Sequence, residues 1–126
     1  MRYIIAISLL LGAFIHLLPM VGVIGAEQLA RLYGVALTDP DLLILMRHRA
    51  VLFGLMGAFL AVAAFVPALR TAAFFAGLVS AGSFLVIALG AGGYNAQLGR
   101  VVTADVVAVA VLAVGALAHV RSCRRA

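Results

Sequence analysis

Directly after Arg49 the chain runs as far as Leu69 without a charged side chain, and three other stretches are almost as apolar. A segment of about 20 such residues has the length needed to cross a bilayer. Inside hydrocarbon its backbone groups must bond within the segment, which leaves the α-helix as the answer for a chain of this kind. Four spans are expected, over about residues 3–25, 42–66, 72–90 and 98–120, as one transmembrane unit. The fold class expected is an all-α, integral-membrane four-helix bundle. The composition agrees: 67% of the 126 residues are hydrophobic, 10% are charged and the mean hydropathy is +1.27. Soluble domains carry nearer a quarter charged residues.

The net charge of +5 would point to nucleic acid in a soluble protein. Here the arginines sit at helix ends, where membrane topology and lipid headgroups account for them, so no nucleic-acid partner is expected. The single cysteine, Cys123, rules out an internal disulfide and a cysteine-based metal cage.

The first run is too long for the apolar core of a signal peptide, which covers about 7–15 residues, and it contains His16 and Pro19. Pro19 cannot bond back to the Ile15 carbonyl, so a kink beside His16 is expected. Residues 26–34 break the run with Glu27, Gln28 and Arg31, while Leu29, Leu32 and Tyr33 recur at helical spacing. They predict a short amphipathic surface helix that Gly34 ends, with Tyr33 as an interfacial aromatic. Asp39-Pro40-Asp41 is a helix start: a capping carboxylate, a proline suited to the first helical position, and an acid at the positive end of the dipole.

At about 100° per residue, Arg47 aligns with Ala50, Gly54, Gly57, Ala58 and Ala61, a line of small residues that lets another helix approach. Arg49 falls on the other side, with Phe53, Met56 and Leu60, and is expected to snorkel toward headgroups. Tyr94 and Asn95 lie in the third connection, and Asp105 sits about 6–8 Å inside the last span at 1.5 Å per residue. Arg2, Arg70, Arg121, Arg124 and Arg125 mark one side of the membrane, with no acids. Arg31, Arg47, Arg49 and Arg100 share the other with all four acids, so five arginines face four. The purely basic side is expected to be cytoplasmic, with both termini there.

Asp105 is the one acid embedded in a span and calls for a donor. Arg47 is the expected partner in a structural ion pair, with Arg49 or His48 as alternatives. His16, Arg47, His48, Tyr94, Asn95 and Asp105 are together the candidate ligand-binding residues of an outward-facing polar pocket. Such a pocket suits the head of a lipid, an isoprenoid or a quinone; the same ion pair could equally do no more than fix helix register. No cofactor is demanded. A quinone belongs to the ligand class, whereas haem is not expected, because no two of His16, His48 and His119 share a depth. No metal-ligand cluster is visible. The expected function is a non-catalytic subunit or binding module for a hydrophobic ligand or membrane partner, within a larger complex or a homo-oligomer. The alternative is a small membrane enzyme or quinone-linked oxidoreductase subunit acting at the Arg/Asp/His pocket.

His16-Leu17-Leu18-Pro19, Leu32-Tyr33-Gly34, Arg47-His48-Arg49 with Gly54 and Gly57 behind it, and Gly93-Tyr94-Asn95 give the chain a pattern that resembles small four-helix bacterial membrane proteins of the DoxX-like group. The resemblance implies a multi-pass protein of the bacterial inner membrane. It also implies, for some members of that group, a place as a membrane subunit of a quinone-linked oxidoreductase.

Overall fold

The computed structural model describes residues 1–125, and among them the regular structure is entirely helical. Helix α1 covers Arg2–Leu17. At Pro19 the missing N–H removes the bond to Ile15, and the chain continues in the tighter 3-10 form over Leu18–Val23. A short helix, α2 (Ala26–Tyr33), follows and stops at Gly34, whose φ of 67° is left-handed and open to glycine at little cost.

Helix α3 runs over Pro40–Phe65. The Asp39 carboxylate accepts the backbone N–H groups of Asp41 and Leu42 at 2.8 and 3.3 Å, with Pro40 in the first turn. Val66, extended before Pro67, ends it. After one 3-10 turn at Pro67–Leu69, α4 spans Arg70–Gly90. The last helix, α5, covers Ala96–Cys123 and starts on Asn95, whose Oδ1 accepts the Leu98 N–H at 2.8 Å.

Among the described residues, four helices are long and apolar enough to cross a membrane: Arg2–Val23, Pro40–Phe65, Pro67–Gly90 and Ala96–Cys123. They pack in the order α1–α3–α4–α5, with α5 returning to α1. Leu9, Leu60, Phe74 and Leu112 fill the middle, and small residues set the spacing around them. Gly57 is the tightest approach between α3 and α1: a Cβ there would lie 2.6 Å from Leu17 Cγ and 3.0 Å from the Ala13 carbonyl oxygen. A backbone oxygen cannot move aside, so only glycine fits. Phe65, Phe75, Val86 and Leu89, by contrast, are each more than 70% exposed. Small residues inward and large apolar ones outward is the distribution a lipid solvent favours.

Two arginines cap helix ends. Arg47 Nε donates to the Val23 carbonyl at 2.9 Å, where the first membrane-length segment stops, and Arg70 donates to the Ala64 carbonyl at 3.1 Å near the end of α3. Both satisfy terminal carbonyls that their own helices leave open.

Candidate functional site

The polar groups gather where the end of α2 meets the heads of α3 and α5. Leu29 and Tyr33, one turn apart, form the buried face of α2, and Tyr33 is only 5% exposed. Asn95 fixes it: Nδ2 donates to the Tyr33 carbonyl at 2.8 Å while Oδ1 caps α5, so a single amide joins the two helices. Burial raises the Tyr33 phenol above its ordinary ionisation range. The positive charge of Arg49 acts in the opposite sense, and the negative charge of Asp105 adds to the rise. Both charges therefore act on one phenol.

Arg49 does not snorkel. Its guanidinium carbon lies 5.3 Å from the centroid of the Tyr33 ring, 5.0 Å from that of Phe53 and 5.6 Å from that of Phe84. Three aromatic faces at cation–π distance hold the charge between α2, α3 and α4. Arg49 also lines a cavity of about 200 Å³ with Leu52, Phe53, Met56 and Ser80.

The ion pair expected between Arg47 and Asp105 is not formed. Arg47 does lie on the small-residue side of α3, but that side packs against α1 and the guanidinium finds the Val23 carbonyl. The one salt bridge among the described residues joins Arg31 to Glu27, four residues apart on α2. Asp105 is 7% exposed and makes no hydrogen bond or ion pair to any described residue. Its surroundings are a cavity of about 230 Å³, walled by Ile15, Leu18, Pro19, Leu32, Tyr33, Val101 and Ala104, with Gln97, Arg31 and Arg100 contributing the other polar groups. Arg31, Arg100 and Leu18 are exposed, so this end is the mouth.

His16 lies apart from that cavity. It is 2% exposed, with Nδ1 2.8 Å from the Gly12 carbonyl and Nε2 3.2 Å from the Ser80 hydroxyl. The carbonyl can only accept, so Nδ1 carries a proton; in the neutral ring Nε2 then accepts from Ser80. The imidazole thus ties α1 to α4, and its ring stands 6.1 Å from that of Phe53.

Of the six candidate residues, only Asp105 lines the cavity itself. Asn95 builds its roof by holding Tyr33, His16 is engaged in a helix–helix contact, and Arg47 caps the first span. His48 is exposed, and Tyr94 is 44% exposed in the connection before α5. Tyr33, Gln97 and Arg100 are the residues that the pattern alone did not bring to the site, while Arg49, an alternative partner for Asp105, reaches its neighbourhood without forming an ion pair. A partial signal exists for Tyr33, which falls four residues after Leu29 on one face of an amphipathic helix. Gln97, Arg100, Val101, Ala104 and Asp105 likewise share one face of α5. Among the described residues, no three His, Cys, Asp or Glu side chains gather closely enough to hold a metal ion.

Among the described residues, fold and site together define an all-helical structure with four membrane-length helices and a cavity lined by one acid, Asp105, toward one end. Compared with known proteins, the chain matches no family model, no curated protein and no solved structure.

Proposed function

We propose that the protein is a non-catalytic, multi-pass component of the bacterial cytoplasmic membrane. In this reading it is a four-helix bundle, related to the DoxX-like group, with both termini in the cytoplasm. It binds the polar head of a hydrophobic ligand, of the lipid, isoprenoid or quinone type, in the cavity beneath Tyr33.

The observation that carries this reading is the Asp105 carboxylate, 7% exposed, without a protein partner, on the wall of a cavity that is otherwise largely apolar. Holding a carboxylate at 7% exposure with no hydrogen-bond donor from the chain carries a desolvation cost, even with its oxygens open to the cavity. A ligand that brings a donor removes that cost on binding, and a chain of methylenes suits the apolar wall.

Purification in mild detergent, followed by extraction and mass spectrometry, is expected to recover one such ligand in near-stoichiometric amount from the wild type. Asp105→Ala, or Ala104→Leu filling the cavity, removes it. A wild-type protein that carries none of the three classes sinks the proposal. Turnover of the recovered ligand would turn the binder into an enzyme.

The orientation rests on the arginine asymmetry and has its own check. Cys123, exposed and the sole cysteine, is expected to react with a membrane-impermeant maleimide in inverted vesicles and to be protected in intact spheroplasts. The reverse pattern turns the topology over.

A further inference from the structure

Resting on that cavity reading, we propose that the head it takes is an ethanolamine phosphate: the primary ammonium of an aminophospholipid on Asp105 and its phosphodiester at the mouth with Arg100 and Arg31. The cavity has charges of opposite sign at two depths. Asp105 is its buried acid, and Arg100, five residues earlier on α5 and about 7.5 Å nearer the helix head, lines the same cavity. Arg100 is exposed and makes no ion pair with a described residue, while Arg31 shares its charge with Glu27.

A ligand complementary to this arrangement carries a cation at its buried tip and an anion a short spacer behind it. Phosphoethanolamine has that order, with two carbons between phosphate and nitrogen and a hydrogen bond of ordinary length available at either end. Its ammonium has three N–H donors, the groups that Asp105 lacks, and a charge-assisted bond is the strongest kind available to a carboxylate.

Other common heads fit less well. A trimethylammonium has no N–H to donate and is bulkier. A glycerol phosphate has no cation for Asp105, and a fatty acid would set a second carboxylate beside the first, where like charges oppose each other. The exposed Leu18 at the rim and Leu32 on the wall give the acyl chains an apolar path outward. Each charge of the head would meet one of opposite sign in the site, Asp105 for the ammonium and Arg100 for the phosphate, which offsets the desolvation of both.

The test is native mass spectrometry of the full chain, reconstituted with equimolar phosphatidylethanolamine, phosphatidylcholine and phosphatidylglycerol of identical acyl chains. The wild type is expected to retain phosphatidylethanolamine about tenfold over the other two, as a charge-assisted hydrogen bond implies. Asp105→Asn abolishes the preference, and Arg100→Gln weakens retention of all three. Equal retention of phosphatidylglycerol by the wild type, or a preference that survives Asp105→Asn, overturns the ammonium assignment and leaves the cavity reading intact. Retention of no lipid or other amphiphile by the wild type overturns both. Thermal unfolding of Asp105→Asn at the wild-type temperature shows that the loss is one of recognition and not of folding.

Discussion

His16 and Asp105 are both polar, both all but buried and both set in membrane-length helices, yet their surroundings treat them in opposite ways. Around His16 every ring nitrogen has a partner, one from its own helix and one from α4. Around Asp105 the protein supplies no donor, and a cavity takes the place of one. The His16 region is a finished contact whose product is the arrangement of helices. The Asp105 region makes no such hydrogen-bonded contact among the described residues. Burial alone therefore does not set the two apart; what does is that Asp105 has no hydrogen-bond partner in the chain and faces a cavity.

The sharpest way to break this comparison is to remove each group and follow stability in detergent. His16→Ala strands the Ser80 hydroxyl and leaves a hole between α1 and α4, so it is expected to lower stability by about 2–4 kcal/mol. Ser80→Ala removes only one partner and is expected to cost about 1 kcal/mol. In protein stripped of bound lipid, Asp105→Asn, by contrast, is expected to leave the unfolding temperature unchanged or higher, because it removes the desolvation cost of a carboxylate that has no hydrogen-bond donor in the chain. A large loss on Asp105→Asn would mean that the carboxylate has a structural partner after all.

A smaller effect separates Asp105 from Arg47. Arg47→Ala loses the bond to the Val23 carbonyl, about 0.5–1.5 kcal/mol. Combined with Asp105→Ala, its effect is expected to add within about 0.3–0.5 kcal/mol, since the two share no contact. Coupling well above that would restore the ion pair.

The smallest effect reads the phenol between the two charges. Burial lifts Tyr33 above the ordinary tyrosine range, so ultraviolet titration, with Tyr33→Phe as the blank, is expected to show it ionising above about pH 10. Arg49→Gln moves it further up, and Asp105→Asn moves it down. Below about pH 10 the phenol is neutral whether the chain is folded or not, and it has no effect on stability. As pH rises from there toward the folded value, the unfolded chain loses the proton first, so stability falls.

Much of the helical layout is legible because it is written in local residues. Asp39 and Pro40 start α3, Gly34 stops α2, and Pro19 turns α1 into a tighter helix, each for a reason confined to a few neighbouring bonds. Directions across the interior are a different matter. In a closed ring of four helices each one has two packed neighbours, so α3 buries two sides. The small-residue line from Ala50 to Ala61 marks only the side against α1. The side bearing Arg49, Phe53 and Leu60 packs as well, through large residues, and a sequence pattern cannot separate a large residue facing a neighbour from one facing lipid. That ambiguity misdirected Arg49. Asp105 was legible as a residue in need of something, because an acid in a span is rare. Its surroundings were not, since Arg47 is taken by a helix end and Arg49, whose charge does act on Asp105, is held among aromatic rings without forming an ion pair.

The amide of Asn95 also sets an order of events. Tyr33 leaves the ribosome early, but the side chain that holds its carbonyl lies 62 residues further along. The first three membrane-length helices can assemble before that side chain exists, with the end of α2 unanchored. Only when the head of α5 arrives is the roof of the cavity fixed. The cavity is therefore completed only after the other three membrane-length helices have been made, and truncation before α5 removes Gln97, Arg100, Val101, Ala104 and Asp105 from its wall.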